Sequence, residues 1–318
     1  MTGSGQFGHR VELNRNGNIL VLGAPSDDTG GQDNGLVRVY EYNGSDSWDR
    51  KGSNLVGDND VDRFGWDVAI SDDGLTVAGS ARTGDPGGLS DAGYVKVFTF
   101  NGGNWDQIGS TIEGLDESGQ FGRSVDLSAD GYRVAVGAAS AFGKGRIYVY
   151  DYQIDSGSWE LKGQVLDGIN NDDWQGTSVA LSADGDILAV GADGHDANGS
   201  NSGMVRVYEF VGCCSWEQLG DTIFGESALD QLGAGQISLS SDGNLLAVGA
   251  SHHNSDRGKA YLYRYGNGDW QLVDSVEGHS TGDKFGFGVS VAGDGTQFAV
   301  GGPTDNPGYA KIYRVKLN

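Results

Sequence analysis

A fifteen-residue phrase recurs along this chain. Residues 124–138 read SVDLSADGYRVAVGA, and residues 178–192 read SVALSADGDILAVGA. The glycine of the turn within this phrase occurs six times, at intervals of 57, 57, 54, 58 and 52 residues: Gly17, Gly74, Gly131, Gly185, Gly243 and Gly295. A period held this closely indicates one supersecondary unit repeated along the chain, and it constrains the fold more than any other feature.

Each repeat predicts four short β-strands. In the third repeat, RSVDLS (123–128) alternates apolar and polar residues, and the SADG turn that follows suits a hairpin. YRVAVGA (132–138) and GRIYVYDY (145–152) are rich in β-branched and aromatic residues, and SWELKGQVL (158–166) completes the unit. We find no ten-residue stretch with helical periodicity. The chain is therefore predicted to be all-β.

Four antiparallel strands in about 50 residues are typical of a β-propeller blade, which buries both faces only when blades stack. We predict a six-bladed β-propeller of four-stranded blades that forms a single domain over residues 1–318. The last repeat stops one strand short, so either one blade has three strands or the chain is part of a larger propeller or array. The repeats are expected at approximately 7–63, 64–120, 121–174, 175–231, 232–284 and 285–318.

Three short motifs carry a family resemblance. An FG pair opens most repeats, as at Phe7-Gly8 and Phe64-Gly65, and GAP stands at residues 23–25 and GGP at 301–303. The pattern resembles the FG-GAP repeat of integrin-α-type propellers, and it is similar to repeat arrays in predicted surface proteins of marine microbes. The resemblance covers the whole chain and implies extracellular or cell-surface recognition and adhesion, often with calcium. Integrin propellers have seven blades, whereas this chain has six repeats.

The calcium loops of that family have the form DxDxDGxxxD between the first two strands of a blade. The corresponding turns here, such as SADGYR and SSDGNL, are short and offer one or two carboxylates. Calcium takes six to eight oxygen ligands, so we expect no calcium at these turns. Calcium remains the candidate cofactor for the longer loops, and Asp193 and Asp196 of DGHDANGSNSG are its candidate ligands.

Strand direction places the loops between strands two and three, and the loops between blades, on one face. These loops differ from repeat to repeat, and variable loops on a rigid scaffold commonly carry binding sites. The predicted ligand-binding face comprises Asp27, Asp28, Asp33, Asp62, Trp66, Asp173, Trp174, Asp193, His195, Asp196, Asp230, His252, His253 and Asp283. The recurrence of Asp62, Asp173, Asp230 and Asp283 two residues before the FG position also favours a structural role, such as accepting turn N–H groups.

The net charge is −23, from 21 Lys and Arg against 44 Asp and Glu. It favours solubility, with cation binding or a basic partner as the sharper alternative. It argues against nucleic acid and anionic membrane surfaces, and no 18-residue apolar run predicts membrane insertion. We expect a protein or glycan partner and a chain that is a monomer or part of a larger assembly.

Two further residue types bear on structure. The tryptophans of the fourth strands, Trp48, Trp105, Trp159, Trp216 and Trp270, recur at fixed spacing and are predicted to pack at blade edges. Cys213 and Cys214 are adjacent in a turn, where the one internal disulfide they can form is a strained vicinal bridge. A free pair is therefore expected.

Three function classes follow from this reading. The first is a non-catalytic recognition or adhesion module that binds a protein, a glycan or cations. The second is a polysaccharide lyase or glycosidase whose carboxylates come from several blades, which paired carboxylates with one raised pKa would favour. The third is a structural repeat of a larger assembly. No local nucleophile, metalloprotease or phosphate-binding motif occurs, which favours the first class.

Overall fold

The computed structural model of the protein describes residues 5–304 and 308–315. These residues form six antiparallel sheets, which are the six blades of a β-propeller. Helix is limited to one turn, α1 (His253–Asp256), and two 3-10 turns, Pro86–Gly88 and Ala141–Gly143. The predicted fold class is confirmed. No helix in the described part of the chain is long and apolar enough to cross a membrane.

The first three sheets share one topology. The first four strands pair antiparallel in chain order, and the short fifth strand pairs with the third. Their strands are β1 (Arg10–Leu13), β2 (Ile19–Ala24), β3 (Leu36–Tyr42), β4 (Trp48–Arg50) and β5 (Leu55–Val56); β6 (Val68–Ile70), β7 (Thr76–Ala81), β8 (Tyr94–Phe100), β9 (Trp105–Gln107) and β10 (Ile112–Glu113); β11 (Phe121–Leu127), β12 (Arg133–Ala138), β13 (Arg146–Gln153), β14 (Ser158–Leu161) and β15 (Leu166–Asp167).

The last three sheets continue the pattern with fewer strands toward the end of the chain. Their strands are β16 (Ser178–Leu181), β17 (Ile187–Ala192), β18 (Met204–Val211), β19 (Ser215–Gln218) and β20 (Ile223–Phe224); β21 (Ile237–Leu239), β22 (Leu245–Ala250), β23 (Lys259–Gly266) and β24 (Asp269–Glu277); β25 (Gly288–Val291), β26 (Gln297–Gly302) and β27 (Tyr309–Arg314). The sixth sheet thus has three strands among the described residues.

The chain divides into two compact units, residues 1–142 with 148–162, and residues 143–147 with 163–318. Each unit is built around apolar side chains packed between neighbouring blades. In the first unit, Val37 and Val39 of one blade pack with Phe64 and Val77 of the next, and all four are almost fully buried. In the second, Val205 and Val207 pack with Leu246 and Val248. The single-domain prediction stays a prediction.

The outermost strand departs from the four-strand prediction. In the first four blades it consists of two short strands that both pair with the third strand, as β4 and β5 pair with β3. Between the two pieces stands a glycine, four residues after the tryptophan, whose φ lies between 67° and 74°: Gly52, Gly109, Gly163 and Gly220. A left-handed residue cannot continue a strand, so the strand breaks there.

The same glycines receive the tryptophan of the following blade. Trp105 Nε1 donates a hydrogen bond to the Lys51 carbonyl oxygen at 2.8 Å, directly before Gly52. A Cβ on Gly52 would lie 2.6 Å from Trp105 Cδ1, so the ring needs the glycine in order to approach. Trp159 and Trp270 make the equivalent bonds to Ile108 and Leu219. The predicted packing of these tryptophans at blade edges is therefore a contact between consecutive blades.

The fifth blade has no such break. Its tryptophan, Trp270, lies eight residues before Gly278, whereas Trp216 lies nine residues before Gly225. The glycine position is occupied by Asp274, and β24 runs without interruption, with a register shift at Leu262 and Tyr263 of its partner strand. One deleted residue thus converts the broken outer strand into a continuous, bulged one.

The expectation of free cysteines is wrong. Cys213 and Cys214 form a vicinal disulfide in the turn between β18 and β19, and no free cysteine is present in the described part of the chain. Both residues are exposed at the tip of a hairpin. The tip between paired Val211 and Ser215 consists of three residues, Gly212, Cys213 and Cys214, and the bridge closes within it.

The contact of Trp105 with Gly52 of the preceding blade predicts a difference between two glycine substitutions. Gly44→Ala changes a residue with φ 78° and open space around it, so it carries only the left-handed penalty, about 1–2 kcal/mol. Gly52→Ala carries a similar penalty and also collides with Trp105, which adds about 1–3 kcal/mol of overpacking. Chemical denaturation of both variants measures the difference. Equal free energies of unfolding would contradict a stabilising contact between Trp105 and Gly52.

Candidate functional site

Backbone pairing joins the long loops of neighbouring blades on one face. From the second blade to the sixth, the amide of the residue at the FG position, or its equivalent, donates to a carbonyl that precedes the third strand of the blade before it. These five bonds have lengths of 2.9–3.2 Å: Phe64 to Asn34, Phe121 to Ala92, Gln175 to Lys144, Leu232 to Ser202 and Phe285 to Arg257. We call the surface formed by these loops in each blade the loop face. The predicted grouping of the two loop types is as observed.

The residue directly before each FG position has a left-handed backbone in all six blades. None of the six is glycine, and their φ values lie between 50° and 60°: Gln6, Arg63, Gln120, Trp174, Gln231 and Lys284. Non-glycine residues pay for this conformation, and such strain collects at functional sites. All six side chains are long, so the position directly before the FG position places a long side chain at the inner end of each blade.

In the first unit, the residues after the FG pairs meet around one indole. The His9 ring lies 4.6 Å from the ring centroid of Trp66. The Arg82 guanidinium lies 3.7 Å from the same centroid, and that of Arg123 lies 5.6 Å from it. We call His9, Arg63, Trp66, Arg82 and Arg123 the Trp66 site. Stacking of cations on an aromatic face holds the guanidinium groups in place.

The guanidinium groups of the Trp66 site repel one another. The pKa of Arg82 is lowered to about 10, first by burial and then by the charges of Arg123 and Arg63. One Nη of Arg82 donates to the Gln120 side-chain oxygen at 3.0 Å, a neutral acceptor. The loop face of a strongly acidic protein therefore contains a local concentration of positive charge.

Three buried donors of this site lack an acceptor. Arg63 Nε, Trp66 Nε1 and Arg82 Nε each have no hydrogen-bond partner within the described residues. A buried N–H without an acceptor costs about 1–3 kcal/mol. Among the described residues the chain supplies no acceptor to these three groups, so each faces water or a bound molecule.

A group of carboxyls lies on the inner strands near the Trp66 site. Asp67 is 3.3 Å from Arg10 Nε and accepts the Val125 amide at 2.9 Å. Burial raises the pKa of Asp67. The pKa of Glu12 is raised well above its usual range by burial and by the negative charges of Asp126 and Asp67. The side chain of Asp67 is engaged with Arg10, and Glu12 lies beside it with a raised pKa.

The four recurring aspartates fasten the loops between blades. Each is almost fully buried and accepts backbone amides three or four residues upstream. Asp62 Oδ2 accepts the Asn59 amide at 2.8 Å and the Tyr94 hydroxyl at 2.7 Å, and burial raises its pKa. Asp173, Asp230 and Asp283 accept the amides of Asn170, Ser227 and Ser280. These contacts are the turn-capping role that the recurrence predicted.

The other predicted aspartates bind their own loops. Asp27 accepts the amide and hydroxyl of Thr29, and Asp28 accepts the Asp33 amide at 2.7 Å. Asp33 has φ 45°, and its carbonyl accepts the Arg63 amide. These carboxylates and backbone groups shape the loop from which Arg63 projects.

In the second unit, the loop-face residues form separate pairs. Asp193 accepts the Thr177 hydroxyl at 2.6 Å, and Asp196 accepts the Asn201 amide at 2.7 Å. His195 Nδ1 accepts the Ala197 amide. Within the described residues, no group of three or more His, Cys, Asp or Glu is arranged to hold a metal. Calcium at Asp193 and Asp196 stays a prediction.

The two adjacent histidines diverge, as expected for neighbours in the chain. His253 Nδ1 lies 3.1 Å from buried Asp230, and its Nε2 lies 4.0 Å from Glu277. His252 Nε2 lies 3.9 Å from Asp256, and burial lowers the pKa of His252.

Trp174, the second tryptophan predicted on the binding face, is 38% exposed and has a left-handed backbone.

Of the predicted site residues, only Trp66 belongs to the Trp66 site. Its partners were missed because they come from three blades, at positions that differ in every repeat. A usable signal was present: His9, Trp66 and Arg123 each follow an FG pair directly. Comparison of that position across the repeats could have identified three of the five residues.

The fold and site thus describe a β-propeller with a cluster of basic and aromatic side chains on its loop face. No protein-family model and no curated protein matches the sequence. Similar solved structures include a putative 6-phosphogluconolactonase from Bacteroides uniformis, with TM-score 0.64 and 13% identity over 98% of this chain and 86% of that one.

Two other solved structures are similar to the chain. One is a periplasmic gluconolactonase from Pseudomonas aeruginosa, with TM-score 0.58 and 16% identity over 96% of this chain and 84% of that one. The other is a functionally unknown protein from Desulfotomaculum acetoxidans, with TM-score 0.60 and 14% identity over 99% and 84% of the two chains. At these identities the likeness concerns the fold.

The electrostatics of the site predict the titration of His9. Its pKa is lowered from 6.5 to about 4, first by desolvation of the ring and then by the charges of Arg10, Arg123 and Arg82. We expect the His9 ring resonances in an NMR titration to move near pH 4, and Arg82→Gln to raise that midpoint. A midpoint near 6.5 in the unmodified protein would contradict the charge cluster.

The same shift sets the sign of a contribution to stability. Because the pKa of His9 is lower in the folded than in the unfolded chain, the folded state binds fewer protons between about pH 6.5 and 4. The contribution of His9 to stability is therefore present above pH 6.5 and is lost as the pH falls toward 4. Denaturation of a His9→Gln variant should lack this part of the acid dependence.

Proposed function

We propose that the protein is a recognition module that binds a small ligand at the Trp66 site. The observation that carries the proposal is the set of three buried N–H donors, on Arg63, Trp66 and Arg82, that lack acceptors in the described chain. A ligand with oxygen acceptors would satisfy them and recover the cost of their burial. The left-handed positions beside the site hold the side chains in place before the ligand arrives, which lowers the entropic cost of binding.

This proposal keeps the recognition class and changes where binding occurs. The FG-GAP resemblance leads us to propose cell-surface or extracellular recognition of a glycan or protein. A glycan-derived ligand fits the Trp66 site better than a basic protein does, because the site itself is positively charged. Calcium in the acidic loops is a separate proposal, which the Trp66 site does not require.

A second candidate is hydrolysis of a sugar lactone. Two proteins of similar fold are named as gluconolactonases, one of them as a putative 6-phosphogluconolactonase. The raised pKa of Glu12 beside Asp67 and Asp126 also supports an enzyme, because a carboxyl that keeps its proton can act as a general acid. Like the polysaccharide lyase or glycosidase expected as an alternative, this candidate enzyme would use carboxyl groups. Its substrate would be a lactone and not a polysaccharide.

Ligand binding predicts a thermal shift that depends on Trp66. Neutral, carboxylated and phosphorylated monosaccharides are added separately to the protein, and the melting temperature is recorded. A ligand at a hundredfold excess over its Kd stabilises by about 2.7 kcal/mol, which moves the midpoint by a few degrees. Trp66→Phe keeps the ring and removes Nε1, so we expect about fivefold weaker binding.

Trp174→Phe is the matched control. Trp174 also adjoins an FG position but lies in the second unit, 38% exposed, and makes no part of the Trp66 site. Its substitution should leave the affinity unchanged. A panel in which no sugar shifts the melting temperature, or in which both tryptophan variants bind like the unmodified protein, would rule out the proposed site.

Lactone hydrolysis predicts a role for Glu12. With glucono-δ-lactone as substrate, Glu12→Gln should lower the rate at least a hundredfold, the usual value of a general acid. Glu113→Gln, an exposed glutamate of β10, should leave it unchanged. Acid release followed in a pH-stat measures the reaction. A rate with the unmodified protein no higher than the spontaneous rate would exclude this candidate.

A further inference from the structure

We infer that the ligand of the Trp66 site carries an oxyanion, a carboxylate or a phosphate, which Arg82 and Arg63 bind. This inference rests on the proposed function and names the chemical class of its ligand. The charge of Asp91 raises the pKa of Arg82, but its effect is smaller than that of either Arg123 or Arg63, which lower it.

Positive charge is concentrated at the Trp66 site. The Arg82 and Arg123 guanidinium groups lie 3.7 and 5.6 Å from the Trp66 ring centroid, and the charge of Arg63 also lowers the pKa of Arg82, in a chain that has only 21 basic residues against 44 acidic ones. Like charges are normally dispersed, and holding three together costs free energy. An anion bound among them reverses the sign of that interaction, whereas a neutral ligand leaves the repulsion in place.

The geometry of the N–H donors that lack acceptors also favours an oxyanion. Arg82 Nε and Arg63 Nε belong to planar guanidinium groups, which match the two oxygens of a carboxylate or phosphate. Trp66 Nε1 is a donor only, so it also requires an acceptor. Three donors and no open hydroxyl acceptor fit an oxyanion better than the mixed donors and acceptors of a neutral sugar.

Two carboxylates near the site, Asp67 and Asp62, are already engaged in contacts within the chain. Asp67 pairs with Arg10 at 3.3 Å and accepts the Val125 amide. Asp62 accepts two backbone amides and the Tyr94 hydroxyl in its turn. Arg82 Nη1 donates to the uncharged Gln120 amide instead. These internal carboxylates are therefore committed to structural contacts and do not serve as acceptors for the open Nε donors.

The test compares four probes by isothermal titration: gluconate, glucose 6-phosphate, glucose and inorganic phosphate. We expect the two charged sugars to bind at least tenfold more tightly than glucose, and their affinity to fall as sodium chloride is raised. Preferential binding of gluconate would identify a carboxylate, and preferential binding of glucose 6-phosphate or inorganic phosphate would identify a sugar phosphate or the free ion as the source.

Two arginine variants connect the affinity to the site. Arg82→Gln should weaken binding of the preferred anion at least tenfold, and Arg82→Lys, which keeps the charge but loses Nε, should weaken it less. Arg15→Gln removes the same charge at an exposed ion pair with Asp72 and should have no effect. Thermal melts establish that each variant is folded before its affinity is compared.

The outcomes separate this inference from the function on which it rests. If glucose binds as tightly as gluconate and Trp66→Phe weakens it while Arg82→Gln does not, the site stands and the oxyanion is overturned. If an anion binds equally well to the unmodified protein, Arg82→Gln and Arg15→Gln, the inference is also overturned. If none of the probes binds, the oxyanion inference and the proposed site fall together.

Discussion

The close backbone pairing between consecutive blades is the constraint on which the loop face depends. The residue at each FG position donates to a carbonyl of the preceding blade, and the facing residue has no room for a side chain. At Gly35, for example, a Cβ would lie 2.2 Å from the Phe64 carbonyl oxygen, and φ is 77°. Glycine alone meets both requirements. The preceding residue, Arg63, has a left-handed conformation with φ 58°, and its amide donates to the Asp33 carbonyl of the same loop pair.

A consequence is that the repeat separates structure from recognition. The FG pair, the turn aspartate and the glycine before the third strand recur because the pairing requires them. The residue after the FG pair is outside that requirement and differs in every blade: His9, Trp66, Arg123, Thr177, Ala234 and Phe287. Six similar blades thus present six different side chains at equivalent points. The Trp66 site arises where three consecutive members of this set are aromatic or basic.

The repeat was sufficient to predict the fold, because period, turn composition and strand alternation all agree. It also located the turn-capping aspartates and the blade-edge tryptophans. It did not reveal that Gly52 and its equivalents break the outer strand, since that depends on the approach of Trp105 from the next blade. The site was harder still. Arg63, Arg82 and Arg123 lie in separate stretches, none forms a motif, and only the three-dimensional contact with Trp66 distinguishes them from ordinary surface arginines.

The net charge is a poor guide to this site for a physical reason. A total of −23 describes the average surface, but the interactions that decide binding act within a few ångströms, and exposed charges farther apart than about 8 Å are largely screened at physiological salt. The guanidinium groups of the Trp66 site act on a ligand at contact, where screening is weak. The surrounding carboxylates act at longer range and on larger ligands. They repel a polyanion, whose many phosphates would extend across the acidic surface, but they impose a small penalty on a single oxyanion. If the proposed function holds, this combination would favour small anions, which a uniformly basic surface would not do.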